Sequence, residues 1–149
     1  MSRVVGVDHS IERSPPVETK LVMVLRDDLP PGLAVNAAAV LALSLGDALT
    51  EWLGSDGKDA DGNVHPGLNT HPVPVLTASG EALRELHDAA PEEVRVVGFT
   101  EVARRAREYG EYLRTLAETP AAEIDYVGLV VFGPKAPVTK LTRRLALMR

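Results

Sequence analysis

The longest apolar stretch of the chain changes its character midway. Lys20 to Arg26 reads KLVMVLR, a run of Leu, Val and Met without polar alternation, as a strand covered on both faces requires. Asp27 to Gly32 follows with Pro30-Pro31-Gly32, which ends the strand and sets proline near the first turn of a helix. In the helix predicted over Leu33 to Leu49, Asn36 and Ser44 are the only polar side chains before Asp47, and their spacing puts them on much the same side. A helix apolar nearly all round is buried between layers of its own domain or partly against a second copy, so a homodimer is expected.

The pattern then alternates. Gly54 to Thr70 is dense in Gly, Asp and Asn without a period and reads as a long loop. Pro72 to Ala78 is a second strand, with Pro74 arguing for an edge position. Ser79 caps a helix whose Leu83, Leu86, His87 and Ala90 share one face, which makes His87 a packed core residue. Val94 to Gly98 is a third strand. Thr100 and Glu101 open a helix to about Ala117, with Glu101/Arg105, Arg104/Glu108 and Arg107/Glu111 as i,i+4 pairs. Tyr126 to Phe132 is a fourth strand, and Val138, Leu141, Leu145 and Met148 give a last amphipathic helix. The sum is an α/β fold: a three-layer sandwich with a mixed, mostly parallel four-stranded sheet covered by helices on both faces. Residues 1–19, with Pro15-Pro16 and at most a short strand at Val4 to Val7, form an N-terminal arm, and residues 20–149 form a single domain.

Composition narrows the chemistry. At 149 residues the chain can bury one core unaided, and with no cysteine it has no disulfide, thiolate nucleophile or thiolate metal site. A net charge of −5 argues against a general nucleic-acid binder. The first residues lack an apolar signal region and Leu33 to Leu45 is too short to span a bilayer, so a cytoplasmic protein without a membrane partner is expected. The bias toward Ala, Arg, Val and Pro resembles that of a high-GC bacterial genome.

Three blocks resemble the type-2 peptidyl-tRNA hydrolases: KLVMVLRDDLPPGLAVNAAA, PVPVLTASGEALRELHDAA leading into VRVVGFT, and GLVVFGPKAPVTKLTRRLALM. More closely, RDDLPPGLAVNAAAVLAL with DADGNVHPG resembles the bacterial domain-of-unknown-function family numbered two thousand, which is thought to share the hydrolase fold. Against the hydrolase pattern Arg26, Asp28, Leu29, Gly32, Gly98 and Thr100 match. The lysine places hold Leu33 and Val35, the glutamine place Ala39 and the aspartate place Val96. Apolar side chains neither take up a proton nor bind a phosphate, so the resemblance implies the fold without the peptidyl-tRNA hydrolase activity.

The candidate ligand-binding residues are Arg26, Asp28, Asn36, His65 and Thr100; the candidates for catalysis are His65, Asn36 and Thr100. Asn36, near a helix N-terminus, could hold a carbonyl or an anion, or bond the Asp27/Asp28 turn. Arg26 and Asp28 flank a strand end, where ligands bind in open α/β sheets, or form a salt bridge that pins the turn. His65 carries an imidazole, which could act as an acid or base, or is an ordinary loop residue; Thr100 is also a natural N-cap. Asp59, Asp61, His65 and His71 have ligand chemistry but not the spacing of a known finger or calcium loop; a Gly-Asp turn explains them, and neither metal nor cofactor is assigned. Lys135, Lys140, Arg143 and Arg144 give the last helix a basic outer face, most simply a solvated one.

Nucleophile-elbow, phosphate-loop and dinucleotide signatures are missing from the sequence. The reading is a small-molecule-binding or regulatory module with a pocket at the end of the first strand. The alternatives are a hydrolase using His65 or Asp61 for proton transfer with Asn36 as the oxyanion contact, and a purely structural dimerisation domain.

Overall fold

A computed structural model describes residues 18–149; the strand considered at Val4 to Val7 lies outside them. The elements are strand β1 (Thr19–Arg26), helix α1 (Pro31–Leu43), a 3-10 helix (Gly46–Trp52), the hairpin strands β2 (Gly57–Lys58) and β3 (Val64–His65), strand β4 (Val75–Ala78) and helix α2 (Gly80–Ala89). There follow β5 (Arg95–Thr100), α3 (Glu101–Arg105), α4 (Tyr109–Glu118), a 3-10 turn (Ala121–Glu123), β6 (Tyr126–Pro134), α5 (Lys135–Thr142) and β7 (Ala146–Leu147).

Among the described residues the main sheet has five strands, not four, in the order β5-β6-β1-β4-β7, and β2-β3 form a separate hairpin. It is mixed but mostly antiparallel: only β1 and β4 pair in parallel, while β1–β6, β5–β6 and β4–β7 are antiparallel. Alternation of strand and helix does not fix strand direction. Between β5 and β6 the chain leaves and returns at the same end of the sheet through the pair α3–α4, and the Glu101 amide donates to the Asp125 carbonyl at 2.9 Å, closing that excursion. A single crossover helix would have carried it to the other end.

The apolar run of β1 is the centre of the molecule. Leu21, Met23 and Leu25 face a core with Ala34, Ala37, Leu41, Leu45 and Trp52, while Val22 and Val24 face a second core with Leu83, Leu86, Leu129, Val131 and Val138. Helices therefore cover both sheet faces. Gly128 lies opposite Leu25 in the β1–β6 ladder, and a Cβ there would stand 2.9 Å from Leu25 Cδ2 on β1 and 3.2 Å from Leu41 Cδ1 on α1, so glycine lets α1 sit close.

Three expected elements are shorter than their periodicity suggests. The helix from Leu33 stops at Leu43 instead of Leu49: Gly46 takes φ +53°, a conformation that suits glycine, and the 3-10 segment departs at 86°. No single helix among the described residues is long and apolar enough to cross a membrane. The helix from Glu101 breaks at Ala106, where the Glu111 carboxylate accepts the Arg107 amide at 3.0 Å and starts α4. The last helix ends at Thr142, and Ala146–Leu147 adds to β4, with the Met148 amide donating to the Val75 carbonyl. Pro74 is therefore not on an outer edge. It precedes β4 and contributes only its carbonyl, which accepts the Met23 amide at 2.9 Å.

Candidate functional site

The ends of β1 and β5 meet through one side chain. Arg26 closes β1, and its guanidinium donates Nε to Asp28 Oδ1 at 2.6 Å, Nη1 to the Tyr126 carbonyl at 3.3 Å and Nη2 to Glu101 Oε1 at 3.2 Å. Glu101 is 13 % exposed and also takes Arg104 Nη2 at 2.6 Å and Arg105 Nε at 3.5 Å on its other oxygen. Beside it, Thr100 is buried and its hydroxyl accepts the Ala103 amide at 3.1 Å, the N-cap of α3. Asp28 is held below the usual carboxylate range, chiefly by its bond to Arg26. Burial pushes the Glu101 carboxyl up, but the bonds from Arg104 and Arg26 outweigh it and the net direction is down.

Next to this network lies a cavity of about 620 Å³ between the end of β1, β4 and the first half of α1. Leu25, Leu29, Ala34, Ala38, Val75 and Met148 make its walls apolar, and Arg26, Asp27 and Arg149 supply a polar edge. That arrangement suits a ligand with an aliphatic body and a polar end.

The sequence-derived site is brought together only in part. Arg26 joins Asp28 and, through Glu101, reaches the residue next to Thr100, whose hydroxyl serves its own helix; of the five proposed ligand residues only Arg26 lines the cavity. Asn36 is exposed on the outer face of α1 and, among the described residues, makes no side-chain hydrogen bond to the Asp27/Asp28 turn. His65 lies on β3, where its Nε2 pairs with Asp59 Oδ2 at 3.0 Å; no hydrogen bond or shared cavity wall among the described residues joins it to Asn36 or Arg26. The turn reading accounts for the loop acids. Asp59 accepts the backbone amides of Asp61 and Asn63 and the side chains of Asn63 and His65, while Gly62 takes φ +84° at the tip. His71 is not with them: its ring stacks on Trp52 with centroids 4.0 Å apart. His87 is half-exposed, stacked on Tyr126 and bonded to Asp88, rather than enclosed in the core.

These bonds, the one to His65 foremost, lower the Asp59 carboxyl from 3.8 to about 2. A depressed carboxyl contributes stability above its ordinary value and loses it as pH falls through the depressed one. In an NMR titration the Asp61 and Asn63 amide shifts are expected to move with a midpoint near 2; a midpoint at the ordinary 3.8 would show that the turn is not bonded as described.

Sequence reasoning found Glu101 only as a helix opener paired with Arg105 and missed its bond to Arg26. No local signal reports a contact across 75 positions. The cavity walls were missed likewise, since apolar residues read as core whether or not a space separates them.

Residues 19–149 match the model of the family described as "Protein of unknown function (DUF2000)". The chain belongs to the DUF2000 family. Among solved structures, this DUF2000 chain is similar to Atu0240, a protein of unknown function from Agrobacterium tumefaciens strain C58, with a TM-score of 0.79 and 24 % identity over 88 % of this chain and 98 % of that one. The likeness extends to the fold alone. No curated protein matches the DUF2000 chain.

Proposed function

We propose that this DUF2000 protein is a small-molecule-binding or regulatory module. Its pocket lies at the end of β1, in a peptidyl-tRNA-hydrolase-like three-layer sandwich that has lost the hydrolase chemistry. The observation that carries the reading is the cavity of about 620 Å³ beside Arg26, alongside β4 and at the carboxyl end of β1, where open α/β sheets receive ligands. Its aliphatic walls and the guanidinium groups of Arg26 and Arg149 on its edge favour an amphipathic ligand over a sugar or a nucleic acid. The hydrolase reading has no such support, because His65 is engaged on its own hairpin while Asn36 lies on α1.

The same helix supports a homodimer. Leu33, Val35 and Ala39 stand where the resemblance to the hydrolases would place lysines and a glutamine. Val35 is 71 % exposed and Leu43 80 %, and Val35, Ala39 and Leu43 follow one another at four-residue spacing. No residue from Pro31 to Leu43 carries a formal charge, so this ridge matches another uncharged apolar surface, such as the ridge of a second copy, better than a phosphate backbone.

Octanoate tests the pocket. Added to the full chain, it is expected to shift the NMR signals of Leu25 to Ala38 and Val75 to Thr77 saturably, and Ala38→Phe, which fills the cavity, is expected to abolish the shifts while the protein remains folded. Shifts that are absent, scattered over the surface or unchanged in Ala38→Phe would reject the pocket.

A further inference from the structure

A second cavity lies on the other flank of α1 and shares no lining residue with the pocket beside Arg26. It measures about 510 Å³ and opens between the second half of α1, β5 and the break between α3 and α4. Leu41, Val97 and Phe99 lie along it, Leu41 buried and the other two packed against the core. Tyr109 and Tyr112 stand on the α4 side, their ring centroids 5.5 Å apart and tilted by 57°. Tyr109 is 72 % exposed, a large aromatic surface left in water at the mouth of an apolar cleft.

The rim carries an unused cation. Arg104 and Arg105 are bound to Glu101, and Arg114 is bound to Glu108 at 3.4 Å. The Arg107 guanidinium, in the same segment, has no ion pair or side-chain hydrogen bond among the described residues, although its backbone amide is fixed by Glu111. Glu108, the acid on this rim, is offset by Arg114, so the charge left facing the cleft is that of Arg107.

We propose that this cleft binds a planar aromatic carboxylate, its ring lying between Phe99 and the Tyr109/Tyr112 pair and its carboxylate on Arg107. The ring faces suit offset stacking, the aliphatic residues exclude water from the ring edge, and a guanidinium is the side chain that best matches a carboxylate. The break in the α3–α4 segment thereby acquires a function: a continuous helix from Glu101 would not turn Ala106 to Tyr109 across the cleft mouth. The site is separate from the pocket beside Arg26, and the two proposals stand or fall independently.

The test uses 2-naphthoate and its uncharged isostere 2-naphthamide on the full chain, followed by ligand fluorescence and by NMR. Wild type is expected to bind naphthoate at one site about five- to tenfold more tightly than naphthamide, the range a partly exposed charge-assisted pair supplies. Shifts should map to Val97 to Phe99 and Ala106 to Tyr112. Arg107→Gln should bring naphthoate down to the level of naphthamide and leave the amide unchanged, and Ala103→Trp, which fills the cleft, should abolish both. Three results would overturn the proposal: equal affinity for the two probes in wild type, shifts at the Arg26 pocket instead, or binding lost as the protein concentration rises into dimer, which would give the cleft to a second copy.

Discussion

Replacing Arg26 by alanine is expected to cost about 2 kcal/mol of folding free energy, the order of a hydrogen bond to a charged group, since Glu101 keeps Arg104 as a partner. The Arg26 side chain is 18 % exposed and joins the end of β1 to the Tyr126 carbonyl and to the partly buried Glu101 at the start of α3. The Asp28 arm contributes little to this sum, because Asp28 lies mostly in water. At this chain length the loss corresponds to a fall in melting temperature of roughly 6 °C. Arg26→Lys should recover only part of it, since one ammonium cannot reproduce the guanidinium fork. Urea unfolding measures both variants, and a loss below about 0.5 kcal/mol in Arg26→Ala would show that this network does not hold the strand ends together.

The pH dependence of the same variant has a definite sign. Asp28 and Glu101 are both held below their ordinary ranges, so their contribution is complete above those ranges and disappears as pH falls through the depressed values. Wild type should therefore lose stability on acidification more steeply than Arg26→Ala, which has lost the Arg26 share of these bonds while Glu101 keeps its bond to Arg104.

Leu43→Glu is expected to separate the proposed homodimer by a factor of at least about 100 in dissociation constant. In a two-fold contact each substitution acts twice, and withdrawing a leucine from burial costs about 1.5–3 kcal/mol before the cost of burying a carboxylate is added. Leu43 is exposed in the single chain, so the circular dichroism and melting of the monomer should change little. Analytical ultracentrifugation reads the result directly. Wild-type protein that sediments as a monomer at every accessible concentration, or a Leu43→Glu protein as dimeric as wild type, would remove the α1 ridge from consideration.

The strands and helices were legible because their signals are local. The unbroken Leu21 to Leu25 run implied cover on both faces, and both cores meet on it. Ser79 and Thr100 were readable as caps, and each accepts the amide three residues on. The errors lie where a local signal admits two outcomes. Val138 to Met148 has helical period, yet its last residues supply the amide that β4 needs, and an unpaired sheet edge outweighs a weak amphipathic pattern. In α1, polarity could not separate the buried face of Ala34, Ala37 and Leu41 from the exposed face of Val35 and Leu43, because every one of these side chains is apolar.

The sequence by itself determined the α/β class, the central strand, a Gly-Asp turn in the long loop and the absence of thiol chemistry, since each follows from residue types close together in the chain or from composition. Only the tertiary structure decided the direction and number of the strands, the union of Arg26 with Glu101, the separation of His65 from Asn36 and the two clefts flanking α1. Those depend on which distant segments meet, and that is settled by burying the greatest apolar area with every strand edge and buried charge satisfied, a condition on the whole chain that no single stretch of it records.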